Sequence, residues 1–233
     1  MDLDAFFAEN PMGGSGGQLP EGFKSGFVTL VGRPNAGKST LLNAVMGKKI
    51  AITSNTAQTT RHRFRAVLTR DEFQMIVVDT PGLHKPHDAL GEELNTSAIK
   101  ALEDVDVVAM LIDSSKPIGR GDEWVAAQVK RSHARKICVL SKIDLATDAQ
   151  ISKLADWDAM VALSSQTGRN VEAFIEEVVY LLPEGPAWFP PDMETDQPLE
   201  VMIAEFIREK ILRGFHDEVP HAIGVQLQEL EFV

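Results

Sequence analysis

From Gly26 onward, short apolar runs alternate with amphipathic stretches along the chain. Phe27–Val31, Met75–Val78, Val107–Ile112, Ile137–Leu140 and Met160–Leu163 are almost continuously apolar, which predicts strands covered on both faces. Between them, Lys38–Met46, Gly91–Glu103, Asp122–Ser132 and Val171–Leu182 space their apolar residues as helices do. Strands that alternate with helices make βαβ units. The pattern therefore predicts an α/β fold of three layers, with a mostly parallel sheet wrapped on both sides. Phe64–Thr69 alternates instead, and is expected to form an antiparallel edge hairpin with the strand that starts at Phe73. Arg70-Asp71-Glu72 would make the turn.

The ends of the chain follow other patterns. Residues 1–25 begin with a small apolar patch (Leu3, Ala5, Phe6, Phe7) and continue through Gly13-Gly14-Ser15-Gly16-Gly17, the composition of a flexible tail. A compact domain is expected over 26–183. Residues 184–198, with Pro183 just before them, contain Pro186, Pro190, Pro191 and Pro198, and are expected to be an interdomain linker. In 199–233, Leu199–Gly214 forms a second amphipathic helix, apolar at Val201, Phe206, Ile207 and Ile211 and stopped at Gly214. Ile223–Val233 alternates like a single strand. One helix and one strand cannot enclose a core, so this piece is expected to be the start of a truncated second domain.

Composition narrows the class. No run approaches the roughly 18 apolar residues of a membrane span, and Asp2, Asp4 and Glu9 stand where a secretory leader would be basic. A lone cysteine, Cys138, sits in an apolar run and forms neither a disulfide framework nor a thiolate metal site. These features point to a reducing cytoplasm. A formal net charge of −11 repels phosphate backbones at long range and excludes a general nucleic-acid binder. The densest basic cluster is Arg61, His62, Arg63 and Arg65.

Four motifs carry the chemistry, each at the end of a predicted strand. Gly32-Arg33-Pro34-Asn35-Ala36-Gly37-Lys38-Ser39 matches the phosphate-binding loop between a strand and a helix. Its glycines allow backbone N–H groups, from Asn35 through Thr40, to turn toward a phosphate at the helix N-terminus. Lys38 would reach the β- and γ-phosphates and the Ser39 hydroxyl would ligate Mg²⁺. Asp79-Thr80-Pro81-Gly82 places a carboxylate where it can hold Mg²⁺ through water, and the Gly82 N–H where it can sense the γ-phosphate. Ser141-Lys142-Ile143-Asp144 supplies Asp144 to accept both N1–H and N2–H₂ of guanine, a pair that adenine lacks. Such a mismatch discriminates by roughly 10⁴-fold. The stem of Lys142 can cover the base plane. Ser164-Ser165-Gln166-Thr167-Gly168 would offer a backbone N–H to guanine O6.

These residues resemble the TRAFAC class of translation-factor-related GTPases and, within it, the Era family of bacterial ribosome-assembly GTPases. Ile52-Thr53-Ser54, Ala57-Gln58-Thr59-Thr60-Arg61-His62-Arg63, Leu83-His84, Leu182-Pro183-Glu184-Gly185-Pro186, Thr195-Asp196-Gln197-Pro198 and Ile207-Arg208-Glu209-Lys210-Ile211 carry the likeness, which runs from about Gly26 to Val233. The resemblance implies GTP hydrolysis to GDP and phosphate, with Mg²⁺ bound by Ser39, Asp79 and a switch-one threonine. That threonine is Thr59 or Thr60, Thr60 being the one beside Arg61. It implies a KH-type domain beginning at 199, and 16S ribosomal RNA and the 30S subunit as partners of the full-length protein. The Gly-x-x-Gly clamp of KH domains does not occur after Pro198, and Leu199–Val233 has seven acidic against three basic residues. Peripheral contact with the inner membrane and self-association through the C-terminal piece are left open. Two positions stand out against the pattern. Ser141 replaces the usual Asn and can donate one hydrogen bond where Asn donates two, which would weaken loop bracing. Leu83 follows Gly82 where Ras-like proteins carry the water-orienting Gln. Catalysis would then rest on Lys38, Thr60, Gly82 and Asn35. Asn35 stands where potassium-activated relatives ligate K⁺, although it could equally brace the loop, and Arg33 or Arg61 could act as an arginine finger. A nucleotide sensor with negligible turnover, or a relative acting in tRNA modification or large-subunit assembly, are the alternative readings.

Overall fold

The structure is a computed structural model in which residues 19–53, 64–79, 83, 99, 102–145, 157–214 and 224–229 are described. Along the chain come β1 (Lys24–Gly32), α1 (Lys38–Met46), β2 (Phe64–Arg70), β3 (Phe73–Asp79), β4 (Val107–Asp113), α2 (Arg120–Val129), β5 (Arg135–Ser141), β6 (Ala159–Ala162), α3 (Val171–Leu181) and α4 (Leu199–Gly214). The strands form one sheet in the order β2-β3-β1-β4-β5-β6. β1 lies between β3 and β4 and is parallel to both, which makes it the switch point of the sheet. β2 alone runs antiparallel, paired with β3 from Phe64↔Asp79 to Arg70↔Phe73. Its hairpin turn is shorter than the sequence implied, because Arg70 still pairs and Asp71-Glu72 alone reverse the chain.

The continuous apolar runs are strands because both faces of the sheet are covered. α1 and α3 lie over one face, where Leu30, Leu41, Val77, Val139 and Phe174 pack together. α2 covers the other, over Val31, Met110, Val125, Cys138 and Leu140. Each such side chain contributes about 1.5–3 kcal/mol on burial. Close packing leaves no room for a Cβ at Gly26: it would stand 2.5 Å from Asp106 Oδ2 and 2.9 Å from Leu182. That carboxylate is already committed, accepting the Phe27 N–H at 2.7 Å. α2 begins two residues before the sequence pattern placed it, because Asp122 Oδ2 accepts the Gly119 N–H at 3.0 Å and closes the first turn.

The proline-rich stretch is laid along the sheet rather than strung away from it. Thr195 bridges antiparallel to Ala66, Val67 N–H donates to Glu194 O at 2.9 Å, and Asp196 N–H donates to Arg65 O at 3.2 Å. The exposed edge of β2 is thereby capped. Gln74 of β3, fully buried, clamps the same stretch: its Oε1 accepts Trp188 N–H (2.7 Å) and Phe189 N–H (2.9 Å), and its Nε2 donates to Phe189 O (2.8 Å). Phe189 fills a third apolar cluster with Phe27, Val67, Ile76 and Val78. Beyond it, α4 docks through buried Glu209. One carboxylate oxygen accepts Thr53 N–H and Thr53 Oγ–H, both at 3.0 Å, and the other pairs with Lys49.

The strand expected over Ile223–Val233 does not form in its described part, 224–229, which has no regular structure. A strand needs a partner ladder, and alternation alone does not supply one. Most of the helix expected at Gly91–Glu103 lies outside the described residues. Among the described residues no helix is long and apolar enough to cross a membrane.

Candidate nucleotide site

β1, β3, β4, β5 and β6 run parallel, so their C-terminal ends lie along the same side of the sheet. An open α/β sheet binds its ligands there. After β1, the phosphate loop turns through two left-handed residues, Asn35 (φ 65°) and Gly37 (φ 101°). Asn and Gly are the residues that tolerate this region. Gly37 caps α1 with no side-chain acceptor, and no acidic residue stands in the first turn. The N–H groups opening α1 thus face a site suited to an anion. The Lys38 ammonium is buried, 3.4 Å from Gly32 O and 3.3 Å from Arg33 O. Burial lowers its pKa to about 8, against the opposing pull of the Asp79 carboxylate. A cation held in this way is set to receive phosphate charge.

Asp79, fully buried at the end of β3, and Ser39, at the start of α1, are the described residues that suit Mg²⁺. Both offer hard oxygen, the donor type this ion takes. The metal would neutralise charge between the β- and γ-phosphates. Arg33 leaves the loop in the other direction: its Nη1 lies 3.1 Å from Asp122 Oδ2 of α2, and the aliphatic stem packs over Gly121. It is therefore held as a strut between loop and helix, not as an arginine finger. Leu83 is fully buried in the cluster beneath α2. Thr59, Thr60, Arg61 and Gly82 lie outside the described residues.

The guanine motif is wired to the phosphate loop by two side chains. Ser141 Oγ lies 2.7 Å from Ala36 O and 3.0 Å from Ile112 O, sharing its single proton between the phosphate loop and the end of β4. The bracing is thus a single shared donor, as the sequence reading expected for Ser at this position. Lys142 adopts a left-handed backbone (φ 59°). Its Nζ donates to Asn35 O and to Asp113 Oδ2, both at 2.7 Å. Asp113 Oδ1 in turn accepts Ser115 N–H (3.0 Å) and Ser115 Oγ–H (2.5 Å). Partial burial would raise the Asp113 pKa, but the bonds from Lys142 and Ser115 outweigh it and hold the carboxyl below its ordinary value. Asp144 stands on a single 3₁₀ turn, Ile143–Leu145, and is exposed. Ile143 N–H reaches Leu163 O at 3.3 Å, which ties this turn to the loop after β6. That loop is closed on itself, with Ser164 N–H on Arg169 O (3.0 Å) and Thr167 N–H on Ser164 Oγ (3.2 Å); Ser165 is half-buried and Gln166 exposed.

The structure thus brings together Asn35, Ala36, Gly37, Lys38, Ser39, Thr40, Asp79, Ser141, Lys142, Asp144, Ser164, Ser165 and Gln166 around one edge of the sheet. Sequence reasoning missed Asp113 and Asp122. The first carried a local signal, an Asp at a strand end followed by Ser114-Ser115, the pattern of an Asx turn. Asp122 carried none, since its partner is 89 residues away.

A phosphate loop, a metal-suited carboxylate and a guanine-type loop on this fold define a P-loop GTPase. Residues 27–142 match the 50S ribosome-binding GTPase family. The chain is 43% identical over 216 residues to GTPase Era of Clostridium perfringens, covering 90% of this chain and 73% of that protein. It is 42% identical over 221 residues to GTPase Era of Corynebacterium diphtheriae, covering 91% and 72%. Among solved structures it is similar to Era in complex with MgGDPNP and nucleotides 1506–1542 of 16S ribosomal RNA (TM-score 0.81, 36% identity, 89% of this chain and 73% of that one). A variant of Aquifex aeolicus Era bound to GDP and aluminium fluoride is similar at TM-score 0.80 and 35% identity, over 89% of this chain and 73% of that one. The chain belongs to the Era family of GTPases.

Proposed function

We propose that this chain binds GTP and GDP at the site described, hydrolyses GTP, and serves as a nucleotide-dependent switch in assembly of the small ribosomal subunit. The observation that carries the reading is the double strapping of the guanine-type loop onto the phosphate loop by Ser141 and Lys142. It makes base and phosphates one recognition unit. Backbone N–H groups from Asn35 through Thr40 receive the β-phosphate, Lys38 bridges the β- and γ-phosphates, and Ser39 with Asp79 holds Mg²⁺. Thr60 and Gly82 respond to the γ-phosphate. Asp144 reads the guanine edge, and the loop Ser164-Ser165-Gln166 faces O6. Asp144→Asn should weaken GDP binding at least 100-fold and improve xanthine nucleotides, because it exchanges an acceptor for a donor. Unchanged GDP affinity would sink the base assignment.

Leu83 is in the core and Arg33 is on Asp122, which leaves Arg61 or a bound cation as the source of transition-state charge. We assign it to K⁺ held by Asn35, at the left-handed turn of the phosphate loop. Turnover should rise in KCl over NaCl at matched ionic strength, and Asn35→Ala should abolish that response. 16S ribosomal RNA and the 30S subunit are the proposed partners, supported by the similarity to an Era–RNA complex. Co-sedimentation with 30S but not 50S subunits tests it. Leu199 and Ile207, both exposed on α4, support self-association of this chain, read by sedimentation velocity across concentration. Peripheral inner-membrane contact rests on the family resemblance.

A further inference from the structure

We infer that Asp113 is a positioning residue for guanine-nucleotide binding, acting through Lys142. The inference rests on the nucleotide site proposed above. Two residues of that site hold left-handed backbones without being glycine, Asn35 (φ 65°) and Lys142 (φ 59°). Each such conformation is unfavourable for an L-residue and persists only when its surroundings fix it. Beside the backbone bond from Leu145 N–H to Lys142 O (2.9 Å), what fixes Lys142 is its ammonium, seated between the Asn35 carbonyl and the Asp113 carboxylate at 2.7 Å from each. The two strained residues are therefore joined to one another, and Asp113 is the anchor of the joint.

Asp113 is itself immobilised. It ends β4, where Asp113 pairs with Ser141 of β5. Its second oxygen takes both the N–H and the hydroxyl of Ser115, so the carboxylate has one direction left, toward Lys142. Its side chain is 16% exposed and that of Lys142 31%, so the pair is screened from bulk water on the β4 side. A charge-assisted bond there is stronger than a neutral one. Without Asp113 the Lys142 side chain would regain its rotamer freedom, its stem would no longer be held beside the base position, and the Asn35 carbonyl would lose its strap. The effect reaches the base plane and the phosphate loop but not the guanine edge, which belongs to Asp144.

That separation makes the role testable with GDP and inosine diphosphate, which lacks the 2-amino group. In the full chain, Asp113→Asn and Asp113→Ala should each weaken both nucleotides by the same factor, about 10-fold. The thermal midpoint of the nucleotide-free protein should be nearly unchanged for the isosteric Asn variant. In a Lys142→Met background the Asp113 substitution should have no further effect, since coupled residues are non-additive. Full additivity in that cycle, an unaltered GDP affinity, or a loss confined to GDP would overturn the role. Should the Asp113 variants fail to fold, Ser115→Ala carries the test with an expected loss of about 3-fold for both nucleotides, and no loss overturns it. A parent protein that binds neither nucleotide would instead overturn the reading of the site itself.

Discussion

Above pH 8, binding of GDP is expected to draw a proton from solvent, and Lys38 is the group that takes it up. In the nucleotide-free protein burial lowers this lysine from 10.5 to about 8. The charged form therefore carries a cost of about 3 kcal/mol below pH 8, which disappears as pH rises past 10.5. A diphosphate beside the ammonium restores the charged form. At pH 8 about half of the free protein would have a neutral Lys38, and at pH 8.5 about three-quarters, so binding takes up about 0.5 and 0.75 proton respectively. The GDP dissociation constant should rise about 2-fold at pH 8 and about 4-fold at pH 8.5, relative to pH 7. Titration calorimetry in two buffers of different ionisation enthalpy, at each pH, reads the uptake directly. Lys38→Met should remove it. Zero uptake at pH 8.5 in the parent protein would refute the argument that burial, rather than the nearby Asp79, sets the charge of this lysine.

Ser141→Ala removes the hydroxyl shared by Ala36 O and Ile112 O, and should cost about 1–2 kcal/mol of stability together with a several-fold loss of GDP affinity, read by thermal unfolding and nucleotide titration. Gln74→Ala strands the buried N–H of Phe189 and the half-buried N–H of Trp188 and should cost about 1–3 kcal/mol. A red shift of Trp188 emission before global unfolding would show the stretch lifting from the sheet, and a wild-type spectrum and midpoint would contradict the clamp. Burial would raise the Glu209 pKa, but Lys49 and Thr53 outweigh it and hold it below its ordinary value. Its contribution is therefore full above about pH 4.3 and lost as pH falls through the lowered value. Lys49 is partly exposed, so Glu209→Gln should cost only about 1 kcal/mol near neutrality, with the difference from the parent vanishing in acid.

The sequence by itself determined the doubly covered strands and the motifs whose signal is local. A strand buried on both faces must be apolar throughout, which is why β1, β3, β4 and β5 were visible as runs. A loop that cradles phosphate needs glycine at its sharp turns and a lysine at the helix start, so Gly32 through Ser39 could be read without coordinates. Asp144 followed in the same way, because its motif lies within four residues. What tertiary structure decided are the pairings between distant segments. Proline content alone could not show that residues 184–198 lie against β1, β3 and β2 in turn, because the acceptors and donors that hold them belong to Ser25, Gln74, Arg65 and Val67. That Ser141 has one proton to donate was legible in the sequence; which two carbonyls share it, those of Ala36 and Ile112, the fold decided. Arg33 was open to two roles until α2 placed Asp122 beside it. The local signal at Asp113 pointed only to Ser115; its second partner, Lys142, comes within reach because β4 and β5 are parallel neighbours in register at Asp113 and Ser141. Hydrogen-bond direction and charge pairing depend on three-dimensional proximity, which side-chain identity along the chain does not encode locally.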